Sequence, residues 1–186
     1  MEKDNTVYLL VGQRGSGKSH YARRLIENQP GLSIVSRDRI LLRLFGSVDT
    51  NPYTGEQYFA QIVMHRLLRR KLSTQTGLRL ILDTWTAGSK ERKPLVRKLR
   101  QYGATRVVAL YFITPLETVN LWFWQKPGVA KIEEMKTQQG KGLVFFSEDA
   151  PAHNYEVFHK YASRIDSDGF DEVIKVDPKK ELIALN

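Results

Sequence analysis

The chain has 186 residues, no cysteine and a net charge of +9, with 41% hydrophobic and 26% charged residues. That composition suits about one globular domain with a sizeable core, and it excludes disulfides and thiolate metal sites. No apolar run approaches the roughly 20 residues that cross a bilayer.

The start, Met1-Glu2-Lys3-Asp4-Asn5, is charged and unlike a secretory signal, so a cytoplasmic protein without a membrane partner is expected. Val7–Val11 is a continuous apolar run, the pattern of a strand buried on both faces. Residues 12 to 19 then read Gly-Gln-Arg-Gly-Ser-Gly-Lys-Ser, a complete phosphate-binding P-loop. Gly12, Gly15 and Gly17 free the backbone to curl its N–H groups around phosphate oxygens, with Ser16 among them. Lys18 supplies a mobile charge for the β and γ phosphates, and the Ser19 hydroxyl is a ligand for Mg²⁺. A helix-like stretch, Lys18–Asn28, follows, so a helix dipole points at the anion.

Further along, Leu32–Val35, Leu78–Leu82, Arg106–Ile113 and Glu172–Val176 read as strands. Arg37–Phe45, Gln57–Leu72, Lys90–Tyr102 and Asn154–Ser163 read as helices, with stop signals at Pro30-Gly31, Gly77 and Gly103. Short buried strands alternating with amphipathic helices predict an α/β three-layer sandwich, with a mostly parallel five-stranded sheet covered on both faces. Between Leu116 and Asn154 the periodicity is poor, and a short helix followed by a lid is expected there, within one domain spanning residues 1–186.

Two aspartates fall at strand ends, where ligands of such sheets bind. Asp38 follows the second strand in Ser36-Arg37-Asp38-Arg39, and Asp83 closes the third in Leu82-Asp83-Thr84. Phosphoryl transfer to an alcohol needs a carboxylate to accept the hydroxyl proton, and a second commonly orients Mg²⁺. The bland readings are a helix N-cap for Asp38 and a turn residue for Asp83. Charge is unevenly spread: from Ile62 to Arg106 there are twelve Lys or Arg against two acids, enough to account for the whole net charge. Such a block suits a polyanion, as do solvated basic helices. Arg66, Arg69 and Arg70 are expected on one helical face, and Lys93, Arg97 and Arg100 on another. Trp122, Phe123 and Trp124 suit either base stacking or burial of the lid. Asp166-Ser167-Asp168-Gly169 reads as a turn, and the four histidines show no ligand spacing.

Gly12–Ser19, Tyr21-Ala22-Arg23, Gln29-Pro30-Gly31, Ser36-Arg37-Asp38 and Leu82-Asp83-Thr84 together resemble the phage polynucleotide kinase family. That family belongs to a wider group of P-loop kinases with a nucleoside-kinase-like fold, including RNA-ligase kinase modules and zeta-type toxins. The likeness covers about the first 120 residues and the ending around Asp168–Val173. It implies ATP and Mg²⁺ as cofactors, held by Lys18 and Ser19, Asp38 as the base that activates the attacking hydroxyl, and Asp83 as an active-site aspartate. Arg37, with Arg39 nearby, would anchor the acceptor, a nucleic acid 5′-hydroxyl. The chain departs from the family in two places. Leu41 occupies the position of an arginine one turn after the catalytic aspartate, and the lid lacks arginine, none occurring between Arg106 and Arg164. Lys126 and Lys131 replace it only partly, lacking the planar fork. A small-molecule acceptor (nucleoside, sugar-nucleotide or antibiotic) is the nearest alternative, and a non-catalytic nucleotide-binding module is the rival of another class.

Overall fold

The computed structural model describes residues 4–48, 55–86, 88–126, 129–134, 144–180 and 182–185. In chain order the elements are β1 (Thr6–Val11), α1 (Lys18–Asn28), β2 (Leu32–Ser36), α2 (Arg37–Phe45), α3 (Gly55–Thr74), β3 (Arg79–Asp83) and α4 (Ser89–Tyr102). They continue with β4 (Arg106–Phe112), α5 (Leu116–Trp124), β5 (Val129–Lys131), β6 (Val144–Phe146), α6 (Ala150–Ala162) and β7 (Glu172–Val176). Five strands form one parallel sheet in the order β2-β3-β1-β4-β7.

All six residues of β1 are buried because this strand has a neighbour on each edge and helices over each face. Its side chains alternate between two cores. Val7, Leu9 and Val11 pack with Met64, Leu68 and Leu72 of α3, Leu95 and Leu99 of α4, and Phe158 of α6. Tyr8 and Leu10 face Tyr21, Ala22 and Leu25 of α1, with Leu185 from the C-terminal segment. Helix, sheet, helix is the three-layer α/β sandwich that the sequence pattern predicts.

A buried ion pair ties the layers at one end. Arg92 of α4 donates from Nε to Asp168 at 2.5 Å, with both side chains fully buried. Its other nitrogens reach the carbonyls of Thr86 and Tyr161, each at 3.1 Å, and Ser89 donates its hydroxyl to the same carboxylate. The Asp166–Gly169 turn is therefore a turn with a buried anchor.

The expected lid departs from the simple reading. After α5 come two short strands, β5 and β6, paired in parallel apart from the main sheet. Helix α6 starts at Ala150, earlier than the predicted Asn154, because Pro151 sits in its first turn, where a missing N–H costs nothing. Residues 127–128 and 135–143, the middle of the lid segment, lie outside the described residues. No described helix is long and apolar enough to cross a membrane.

Candidate active site

The loop between β1 and α1 is shaped by its glycines. Gly15 and Gly17 take φ of 80° and 84°, a region unfavourable to side chains. Space excludes a side chain as well: a Cβ on Gly17 would lie 2.7 Å from the Trp122 ring, and one on Gly12 would lie 2.7 Å from Ser16 Oγ. The loop is pinned from inside by Ser16, whose hydroxyl donates to the Gln13 carbonyl at 2.8 Å, and from β4 by Thr114, whose hydroxyl donates to the Ser16 carbonyl at 2.8 Å. The first helical bond of α1 runs from the Tyr21 N–H to the Gly17 carbonyl at 3.0 Å, so the N–H groups of its opening turn have no helical partner. A cradle of this kind fits a polyphosphate.

Lys18 folds back over the loop, its Nζ donating to the carbonyls of Gly12 and Gln13 at 2.7 and 2.6 Å. Desolvation lowers its pKa to about 8, against the pull of Asp83 and Asp38. Asp83 shows the mirror image. Burial pushes its carboxyl above the usual range, opposed by Lys18 and by the hydroxyls of Ser19 and Ser36. Ser19 Oγ donates to Asp83 Oδ2 at 3.0 Å, so the expected Mg²⁺ ligand and the strand-end acid are already in contact. This is a hard, oxygen-donor pair of the type Mg²⁺ takes.

Register brings the second acid alongside. Ser36, the last residue of β2, lies opposite Asp83. Ser36 also caps α2, its hydroxyl accepting from the Arg39 N–H at 3.4 Å. The N-cap reading of Asp38 is thus overturned: Asp38 sits inside the first turn, with its side chain half-exposed and 3.6 Å from the Arg37 guanidinium.

Asp38, Asp83, Lys18, Ser19, Gly12, Gly15, Ser16, Gly17 and Arg37 all line one cavity of about 1470 Å³. Arg39 does not; it is exposed, and only its backbone serves the cap. Leu41 is fully buried in the core, so α2 supplies no further arginine to the cavity from that position. The aromatic triplet divides its roles. Phe123 is buried as expected, Trp122 covers Gly17 at the cavity wall, and Trp124 sits with Lys131 5.6 Å from its ring. Neither Arg66, Arg69 and Arg70 nor Lys93, Arg97 and Arg100 lines the cavity, and Arg100 is committed to Asp171 at 3.0 Å.

Sequence reasoning missed several lining residues. Arg23 and Arg24 on α1, Trp85 after β3 and Lys179 after β7 have no spacing signature, since they converge from separate elements. Arg14 was one of the free positions of the loop pattern. Its guanidinium lies 4.9 Å from the Phe146 ring and 5.9 Å from the Phe123 ring, bringing an arginine to the arginine-free lid segment.

The family model described as AAA domain (AAA_33) matches residues 7–141, from β1 through the lid segment. The chain belongs to this family. Its fold is that of the P-loop kinases, a class that binds nucleotides through this loop. One similar structure is the Pnkp1/Rnl/Hen1 RNA repair complex, with TM-score 0.65 and 18% identity, covering 88% of this chain and 47% of that one. The chain thus spans about half the length of that relative. A fungal RNA kinase is similar at TM-score 0.53 and 16% identity, covering 96% and 77%. Shikimate kinase from Acinetobacter baumannii in complex with shikimate aligns at TM-score 0.52 and 19% identity, covering 95% and 86%. No curated protein matches the sequence at a significant level.

Proposed function

We propose that this protein is an ATP-dependent kinase that transfers the γ-phosphate to a hydroxyl acceptor, preferably the 5′-hydroxyl of a nucleic acid. The observation that carries the reading is the meeting of Asp38, Asp83, Lys18 and Arg37 on one cavity beside the phosphate cradle. Asp38 is free of capping duty and takes the hydroxyl proton. As it does so, the acceptor oxygen bonds to the γ-phosphorus and the bond to the β,γ-bridging oxygen breaks, releasing ADP. Lys18 follows the charge as it moves onto the leaving oxygen. Ser19 and Asp83 would hold Mg²⁺, which neutralises charge on the β and γ oxygens. Arg37 anchors the acceptor, and Arg14 with Lys126 supplies cationic groups on the lid side, where the segment around 116–154 closes a single kinase domain over residues 1–186.

The likeness to RNA-processing kinases and the part of the basic block that borders the site, Lys90 and Lys98, favour a nucleic acid acceptor. The shikimate kinase likeness keeps the small-molecule reading as the alternative. The test incubates the protein with labelled ATP, Mg²⁺ and either 5′-hydroxyl oligonucleotides or a panel of nucleosides, sugar-nucleotides and antibiotics. Transfer to the oligonucleotides, weakening steeply with salt, is the expected result. Transfer to a panel compound alone replaces the acceptor. Nucleotide binding with no transfer to any acceptor overturns the kinase reading in favour of a non-catalytic module.

A further inference from the structure

A second cavity, of about 340 Å³, opens between α3 and α4. Arg37, Thr84 and Trp85 line both this cavity and the first, so the two are neighbours sharing a wall on the acceptor side of the site. Its volume is at the lower end of the roughly 300–1,000 Å³ of small-ligand sites.

Three features show what chemistry it suits. Trp85 is 55% exposed, an apolar ring left in water on the partition between the cavities. Among the described residues, Arg37 has no hydrogen-bond partner for its buried Nε, a donor whose desolvation they leave uncompensated. Lys90 and Lys98, both exposed, line the cavity from α4. The single acid among the described lining residues, Glu91, turns its carboxylate back over Gly88 at the start of α4. His65 faces the cavity too, with its Nδ1 3.3 Å from the Tyr102 hydroxyl. Burial and Lys98 both push the pKa of His65 down. The lining is therefore an aromatic face beside three cations, which matches a base next to a phosphodiester.

We propose that this second cavity is a subsite for the nucleotide unit that follows the accepting 5′-hydroxyl, its phosphate facing Arg37, Lys90 and Lys98 and its base stacked on Trp85. The subsite rests on the kinase reading and sharpens it. The protein then distinguishes a chain from a single nucleoside at the second unit, and the cations that matter are those on the α3–α4 groove rather than those on the outer helix faces.

The experiment measures kcat/KM with labelled ATP for thymidine 3′-phosphate, for a thymidine dinucleotide and for a longer 5′-hydroxyl strand. The dinucleotide is expected to exceed the mononucleotide by about tenfold or more, within the roughly 5- to 150-fold that one base–aromatic stack supplies. Trp85→Ala should shrink that step, whereas Trp85→Phe keeps a stacking face and should largely restore it. Lys90→Ala with Lys98→Ala should instead lower kcat/KM for all three acceptors, because each carries the phosphate those lysines face. All these side chains are exposed, and binding of ATP to each variant checks that it is folded. Transfer with equal efficiency to mononucleotide and dinucleotide overturns the subsite while leaving the kinase intact. A step that persists in Trp85→Ala, or a lysine double variant that leaves kcat/KM unchanged for all three acceptors, also overturns it. Absence of transfer to every 5′-hydroxyl acceptor overturns the acceptor reading on which the subsite depends.

Discussion

Nucleotide binding should take up protons at mildly alkaline pH, through Lys18. In the free protein its pKa is about 8, because the ammonium is desolvated on the P-loop. A bound triphosphate places several negative charges beside Nζ and should return the pKa towards the usual lysine range or above it. Lys18 is half-protonated in the free protein at pH 8 and about nine-tenths neutral at pH 9, so binding should absorb about 0.5 and about 0.9 proton respectively. Calorimetric titrations in two buffers of different ionisation enthalpy give these numbers directly. Affinity should fall by up to about tenfold per pH unit above 8, and Lys18→Met should abolish both effects. The free protein carries the same signature in its stability. Below pH 8 folded and unfolded chains both hold the proton. Between about 8 and 10.5 the unfolded chain holds more, so stability should rise with pH in the wild type relative to Lys18→Met. Uptake near zero at both pH 8 and pH 9, or equal uptake in Lys18→Met, would refute the reasoning.

Asp38→Asn keeps the shape of the acid but removes its basicity; turnover should fall by about 100- to 10,000-fold while calorimetry still shows nucleotide binding. Gly17→Ala places a Cβ 2.7 Å from the Trp122 ring at a φ of 84°, which costs about 1–2 kcal/mol in backbone strain alone. Nucleotide affinity should fall at least about tenfold, and adding Trp122→Ala should relieve the contact but not the strain. Asp168→Ala strands the fully buried Arg92 charge, a loss of about 3–5 kcal/mol. At about 2–4 °C per kcal/mol, thermal melting should drop by about 6–20 °C. Replacing Arg92 and Asp168 together by Met and Leu should cost less than the single change, because no charge is then left buried.

Local patterns carried much of the architecture. The apolar runs, the P-loop and the glycine and proline stops mark all five strands of the main sheet and the helices between them. Those features are written in consecutive residues: a strand buried on both faces must be apolar throughout, and a phosphate cradle needs glycine at set offsets. Asp38 and Asp83 were legible for the same reason, since strand ends of a parallel sheet are where ligands bind. Element boundaries in the lid were not legible, because β5 and β6 are too short to show a period.

Tertiary structure decided which side chains meet. Ser36 is the N-cap in place of Asp38, a choice made by the geometry of one turn among three adjacent polar residues. The basic block reads as one feature in the sequence, but the fold scatters it. Arg92 is buried against Asp168, Arg100 is tied to Asp171, and Lys90 and Lys98 border the groove beside Trp85. Arg14 reaches the aromatic rings of the lid segment across more than a hundred residues. Charge and helical period are properties of a segment, and they predict which face a residue takes. The identity of its neighbour depends on how separate segments pack, and that information is present only once the sheet has set their order.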